Sequence, residues 1–234
     1  MHIPDGLMAP ELLVFGWVIA ILGLGFAVRA VKSKLPEKQI VVMAVVSAGI
    51  FAAQMLNFPV MGGTSGHLVG AALASIIFGP AAAIVMISTI LIIQCFVFGD
   101  GGLTALGLNI LNMALIGSIV GYYSYSIIAG KHEGNNKFVF DTKGRAAIFA
   151  GTWLATFISA LLCALELSIS NLISPSYGIA WQISIPMMAI YHVLIAIGEG
   201  IITLGIIEYI SRVSPDMLKV EKIELWKRRG EVEC

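Results

Sequence analysis

The chain has 234 residues, of which 58% are hydrophobic and only 12% charged, about half the charged share of an ordinary globular domain. A soluble fold of this size cannot enclose so much apolar surface, which excludes a soluble domain and points to a lipid bilayer as the solvent. Lys plus Arg and Asp plus Glu number 14 each, so the formal net charge is zero; the charges are very unevenly placed, and no nucleic-acid partner is expected.

The chain opens without Lys or Arg before its first apolar run, and no small-residue cleavage site follows that run. A secretory signal peptide is therefore not expected, and Met1 is read as the mature end. The bulky side chain of His2 also disfavours trimming of the initiator Met. Seven runs are long or apolar enough to be read as spans: 7–31, 39–56, a short third at 67–78, then 81–98, 103–128, 145–169 and 185–210. Only helices and closed barrels satisfy their backbone in hydrocarbon, so the expected fold is all-α, an integral membrane protein of seven transmembrane helices. The expected organisation is a membrane domain over 1–212 and a charged tail over 213–234. Cys95 and Cys163 lie inside apolar runs and Cys234 is the last residue; three scattered thiols make no disulfide framework.

Orientation follows from the basic residues. All 14 fall in three segments: Arg29, Lys32, Lys34 and Lys38; Lys131, Lys137, Lys143 and Arg145; and Arg212, Lys219, Lys222, Lys227, Arg228 and Arg229. If the stretch 67–98 crosses twice, breaking at Gly79-Pro80, all three segments lie on one side. Cytoplasmic loops carry the Lys/Arg excess, so two crossings are expected, with the N-terminus outside and the C-terminus cytoplasmic in a multi-pass protein of the cell (inner or plasma) membrane. The outer segments are then 1–6, 57–66, 99–102 and 170–184. Two of them, around Gly62-Gly63 and Gly99 to Gly102, carry glycines that serve equally as tight hairpins or as places of close backbone approach. On the second span Ala44, Ala48 and Ala52 form a small-residue stripe suited to close helix packing, inside the bundle or against a partner.

Ionisable groups within such a chain need a reason. His132 sits among charged residues of a cytoplasmic loop and is read as solvated. Glu166, near the outer end of the sixth span, is expected to reach the interface. His192 and Glu199 share one face of the seventh span and are a functional pair or a structural one. The terminus itself carries more chemistry. A free amine followed by His at position 2 offers the Met1 amine, the His2 backbone nitrogen and the His2 Nδ1 as a chelate of one five-membered and one six-membered ring. That nearly planar set leaves one position for a further imidazole, and a square of nitrogens suits Ni(II) or Cu(II). His67, at a helix mouth after a Gly-rich outer loop, is the available fourth donor. Any chain can begin Met-His, so the outer placement of both histidines is what lends the pair weight. Because amine and imidazole must be neutral to bind, affinity is expected to fall below about pH 6.5.

The blocks Met1-His2-Ile3-Pro4-Asp5-Gly6, Gln54 to Val60, Gly63-Thr64-Ser65-Gly66-His67-Leu68, Gln94 to Gly107, and Tyr191-His192 through Glu199-Gly200 resemble the CbiM/NikM family. These are the substrate-specific subunits of energy-coupling-factor (ECF) nickel and cobalt transporters. The resemblance implies a six-helix core with an added N-terminal helix. It implies that Met1, His2 and His67 bind Ni(II), with Co(II) the alternative substrate. It implies that Asn57, Ser65, Gln94 and Asp100 supply the surrounding hydrogen bonds; Asp5, His192 and Glu199 are weaker candidates. Partners implied are a transmembrane coupling subunit, two cytoplasmic ATPases and a small auxiliary membrane protein. Ala196 stands where the family pattern has Gly. The chain carries no G-x-x-x-x-G-K-[ST] loop and is read as a transporter subunit, not an enzyme.

Two rivals use the same residues differently. Gly63-Thr64-Ser65-Gly66 fits the G-x-S-G pattern of rhomboid-type proteases, with His192 as base, but it leaves His67 and the Met-His terminus without a role. An ion-coupled secondary transporter using His192 and Glu199 would be expected to show an inverted repeat, and none is visible.

Overall fold

The computed structural model describes residues 1–32, 36–60, 64–130 and 141–218. His132, Lys131 and Lys137, the glycines Gly62 and Gly63, and all of the tail beyond residue 218 lie outside the described residues. The order of elements is α1 (Pro10–Lys32), α2 (Glu37–Gln54), β1 (Phe58–Val60), β2 (Thr64–Gly66), α3 (Ala71–Phe78), α4 (Pro80–Phe98), α5 (Leu106–Ala129), α6 (Thr142–Ile173) and α7 (Trp181–Val213), closed by a 3₁₀ turn, Pro215–Leu218. Five of these helices (α1, α4, α5, α6 and α7) are long and apolar enough to cross a membrane, and α2 contributes a shorter apolar helix, Gln39–Gln54. The chain is a helical, multi-pass membrane protein.

Local chemistry explains where α1 begins and how it sits. Pro10 opens it, where a missing N–H costs nothing, with Glu11 in the first turn and Arg29 and Lys32 in the last, complementing the helix dipole. Phe15, Ile21, Leu22 and Phe26 face outward, as a lipid-facing stripe should, while Gly16, Ala20 and Ala27 are buried against the bundle. Contact with α5 is by glycine on both sides. A Cβ on Gly107 would stand 2.5 Å from the Trp17 backbone nitrogen, and one on Gly16 would stand 2.6 Å from Leu108. The backbones therefore touch, as small residues permit in membranes.

Two expectations change here, for the third run and for Glu166, and two open alternatives are decided. The third run is helical only over Ala71–Phe78, eight residues, or about 12 Å, which is too short to cross a bilayer alone. All eight are buried, and the helix is enclosed by its neighbours. His67 precedes it in irregular backbone. Within the outer segment 57–66, β1 and β2 pair antiparallel, Phe58 opposite Gly66. Glu166 does not reach an interface; it is 4% exposed and accepts a hydrogen bond from Asn112 Nδ2 at 2.7 Å. Ala44, Ala48 and Ala52 are exposed on α2, so the stripe does not pack within the bundle.

Two π-helical turns interrupt the long helices. One ends α4 at Gln94–Phe98 and stops at Gly99, whose φ of 65° turns the chain into Asp100. The other, Ile110–Ile116 in α5, follows Asn109 and contains Asn112. Such turns widen a helix by one residue and mark functional sites; both adjoin polar side chains described below.

Gly107→Ala is expected to destabilise the protein by about 1–3 kcal/mol by forcing α1 from α5. Gly25→Ala, where an added Cβ meets nothing, should be neutral or slightly stabilising. Denaturation of the two variants in one detergent checks this; equal midpoints would mean the α1–α5 contact is not as close as described.

Candidate metal-capture site

The first three residues are buried: Met1 and Ile3 completely, His2 to 4% exposure. Their polar groups are accounted for one by one. The Met1 amine donates to the Ser65 carbonyl and, at 3.3 Å, to Ser65 Oγ, and the His2 N–H reaches the same hydroxyl at 3.1 Å. Asn109 holds Ile3 from both sides, accepting from its N–H at 2.9 Å and donating to its carbonyl at 3.2 Å. Gly102 N–H adds a bond to the same carbonyl at 2.8 Å. Asp5 accepts from Leu103 N–H at 3.0 Å, Thr104 N–H at 2.7 Å and the Thr104 hydroxyl at 2.5 Å. The Gly99–Gly102 loop lies so close to the terminal segment that a Cβ on Gly102 would collide with Asp5. Gly102 fills the close-approach role, while Gly99, where an added Cβ would meet nothing, serves the turn.

Over this segment the rings of His2 and His67 face each other, centroids 4.5 Å apart and planes 20° apart. His2 Nδ1 is 3.1 Å from Asp100 Oδ1, and Asn57 Nδ2 donates to the other oxygen of that carboxylate at 2.9 Å. Gln94 is fully buried beside the His2 ring. His67 Nδ1 lies 2.7 Å from the Leu68 carbonyl. A ring nitrogen facing a carbonyl carries the proton, so His67 Nε2 holds the lone pair. That Nε2 and His2 Nε2 are buried without a hydrogen-bond partner. Buried polar atoms are rarely left so, and two together mark a place built for something else.

Electrostatics fit the geometry. Burial lowers the Met1 amine from 8.0 to about 5, against the opposing pull of Cys163 and Asp100. Burial also lowers His2, partly offset by its contact with Asp100, and puts His67 well below its ordinary value, with the nearby amine and His2 adding to the effect. Asp100 is held below the usual carboxylate range by His2 first, against its own partial burial. At neutral pH the site gathers an amine and two imidazoles, all neutral, beside one carboxylate. Among the described residues no cluster of three or more His, Cys, Asp or Glu side chains is arranged to hold a metal, so a set of side chains alone is not what gathers here.

The structure thus brings Met1, His2, His67, Asn57, Ser65, Gln94 and Asp100 together. The weaker candidates have other partners. The Asp5 carboxylate is occupied by the Leu103–Thr104 backbone. His192 is buried near enough to His67 for the two to interact electrostatically, its Nδ1 at 2.9 Å from the Met188 carbonyl and its Nε2 without a partner. Glu199 does not pair with His192; its oxygens accept from Val69 N–H at 3.2 Å, Gly70 N–H at 2.6 Å and Thr156 Oγ1 at 2.7 Å. Ser65 Oγ is taken up by the terminus rather than aimed at His192, which leaves the protease reading without its nucleophile–base pair. Sequence reasoning missed Asn109. An amide inside the apolar run 103–128 was the available signal.

Five long apolar helices with buried nitrogen bases at one end of the chain define a multi-pass membrane protein. Comparison with known proteins is specific: the chain belongs to the CbiM family, the cobalt uptake substrate-specific transmembrane region, which matches residues 2–217. It is 38% identical over 219 residues to an Archaeoglobus fulgidus protein provisionally named a fused nickel transport protein, NikMN, covering 94% of this chain and 68% of that one. It is 33% identical over 227 residues to the fused nickel transport protein NikMN of Rhodobacter capsulatus, covering 93% of this chain and 64% of that one. A crystal structure of a truncated transition metal transporter superimposes with a TM-score of 0.82 at 30% identity, covering 91% of this chain and 99% of the other.

Asn109→Leu leaves the Ile3 N–H buried without an acceptor, a loss of about 1–3 kcal/mol. Hydrogen exchange should show the first six residues opening more often while the interior of α6 keeps its protection. Unchanged exchange at Ile3 would mean that Asn109 does not hold the terminus.

Proposed function

We propose that this chain is the substrate-specific membrane subunit of an ECF-type importer, capturing Ni(II) from outside, with Co(II) as the alternative substrate. The observation that carries this reading is the buried, neutral Met1 amine lying with two imidazoles whose Nε2 atoms have no partner. The stacked His2 and His67 rings, centroids 4.5 Å apart, bring both imidazoles to one place.

The ligands are the Met1 amine, the His2 backbone nitrogen, His2 Nδ1 and His67 Nε2. Before the ion arrives, Ser65 holds the first two nitrogens and Asp100 holds the third. The His2 ring turns for Nδ1 to join the amine and the backbone nitrogen, and Asp100 then accepts from its Nε2–H. Carboxylates commonly orient metal-bound imidazoles in this way. Asn57 keeps the carboxylate in place for that role, and Gln94 packs beside the ring. Binding displaces the proton of the His2 amide, which ties capture to proton release.

In this reading the protein makes seven passes, α3 being a short third pass enclosed by its neighbours, with the N-terminus outside and the C-terminus cytoplasmic. The loaded subunit docks on a transmembrane coupling subunit through the exposed Ala44, Ala48 and Ala52 of α2. Two cytoplasmic ATPases drive release inside, and a small auxiliary membrane protein assists. The chain is not an enzyme.

Purified protein should retain one Ni(II) per chain. His67→Ala and a variant with one residue added before Met1 should both lose it, by metal analysis and competition titration. Binding that survives the extension would place the site elsewhere, near His192. The pH dependence is also displaced from the free-imidazole value. Because burial holds the amine near 5 and both imidazoles below their ordinary range, the ligands stay neutral as pH falls through 6.5. Affinity should fall about tenfold per pH unit from release of the amide proton alone, and more steeply only near pH 5, where the amine also takes up a proton. A steepening already at pH 6.5 in the same titration would mean the imidazoles are solvated, not buried.

A further inference from the structure

We infer that Glu199 is a positioning residue for His67, holding the backbone that presents the imidazole Nε2 to the ion; this rests on the ligand set proposed above. Glu199 lies in the interior of α7 and is 2% exposed. Its carboxylate accepts three hydrogen bonds, two of them from the successive backbone N–H groups of Val69 and Gly70 and the third from Thr156 on α6. Gly70 has φ of 73° and precedes the first residue of α3. A left-handed residue at that point turns two consecutive N–H groups toward one acceptor. The carboxylate thus satisfies the two N–H groups that lead into α3, at a start where the N-cap residue Gly70 has no side chain to offer. A Cβ on Gly70 would also stand 2.6 Å from Ile50, so the residue is confined on its other side.

The segment from His67 to Gly70 is then fixed at each end. Behind it, Ser65 is tied to the Met1 amine and the His2 N–H. Ahead of it, Glu199 holds Val69 and Gly70, and Gln54 Nε2 donates to the Val69 carbonyl at 2.6 Å. Between them His67 Nδ1 is bound to the carbonyl of Leu68, its own neighbour. That carbonyl belongs to the peptide whose N–H is Val69, one of the two that Glu199 accepts. The chain of contact runs Glu199, Val69 N–H, Leu68 carbonyl, His67 Nδ1–H, and it leaves Nε2 as the free base. Glu199 therefore sets both the direction of the ring and which nitrogen keeps its lone pair, without touching the ion.

The test uses full-length protein in lipid nanodiscs and the variants Glu199→Gln and Thr156→Val. A glutamine has one acceptor oxygen, and its NH₂ would face a backbone N–H, so one of the two hydrogen bonds donated by Val69 and Gly70 N–H is lost. Glu199→Gln should weaken Ni(II) binding by about 10–100-fold, as loss of a ligand-orienting bond does. With Cu(II) as probe, its paramagnetic resonance should report three equatorial nitrogens where wild type reports four. In metal-free protein, ¹⁵N spectra should show His67 changing from one tautomer to a mixture. Thr156→Val removes a single donor and should move the same readouts in the same direction by a smaller amount, which keeps the inference open to test if Glu199→Gln does not fold. Weaker binding with an unchanged nitrogen count and a single tautomer would make Glu199 a purely structural residue and overturn the inference. Unchanged affinity in folded Glu199→Gln would overturn it too. If wild type binds no nickel but the variant still scrambles the His67 tautomer, the clamp stands and the proposed function fails.

Discussion

A chain terminus ordinarily stays in water because an ammonium group is costly to desolvate. Here the amine of Met1 is enclosed against Ser65, and the surrounding structure follows from accommodating it. An enclosed amine sheds its proton, and burial brings that change to about 5. The result is a strong neutral base held away from solvent. Ordering the opening residues costs about 1–2 kcal/mol of backbone entropy each, so the segment persists only if its polar groups find partners. Ser65, Asn109, Gly102 and the Asp5 contacts with Leu103 and Thr104 provide them. The glycines where α1 meets α5 matter for the same reason: α1 leads directly out of the terminal segment, and its docking sets where that segment begins.

The second constraint is irregular backbone within a helical bundle. Away from water every N–H and C=O must be satisfied by the protein, and the segment leading into α3 has no helix of its own to do this. Side chains from α2, α6 and α7 meet that demand, with Gln54 and Glu199 bonding the backbone directly and Thr156 supporting the carboxylate. Buried polar residues that read as candidates for ion chemistry are here devoted to holding main chain. The same holds for Asn109 at Ile3, and Glu166 and Asn112 satisfy one another across α5 and α6. The two π turns are part of this arrangement, since each adjoins a residue that bonds or packs beside the terminal segment, Asn109 in one case and Gln94 in the other.

Much of this was legible along the chain. Five long helices fall on the apolar runs within a few residues, because hydropathy is a property of a contiguous stretch and lipid demands it of each helix separately. Pro10, Gly79-Pro80 and Gly99 mark breaks that follow from their own backbone limits. Met1, His2 and His67 were visible as bases with metal-binding chemistry, and Asp100 as a carboxylate in an outer Gly-rich turn. That the short third run is helical only over Ala71–Phe78, and that Phe58–Val60 pairs with Thr64–Gly66, was not visible, since an apolar run does not state whether it is helical throughout and three-residue strands carry little pattern.

What the sequence determined by itself is the solvent, the approximate helices and the presence of candidate nitrogen bases at Met1, His2 and His67. Only the tertiary structure decided which polar residues serve them. Asn109 meets Ile3, Asp100 meets His2, and Glu199 meets Val69 and Gly70 through the crossing of helices distant in the chain, where a shift of one residue around a helix would turn each side chain away. Only the fold, likewise, turned Glu166 inward and left Ala44, Ala48 and Ala52 facing outward. The physical reason is range: hydropathy and turn preference act between neighbours, whereas a hydrogen bond between remote residues exists only once every helix between them is packed.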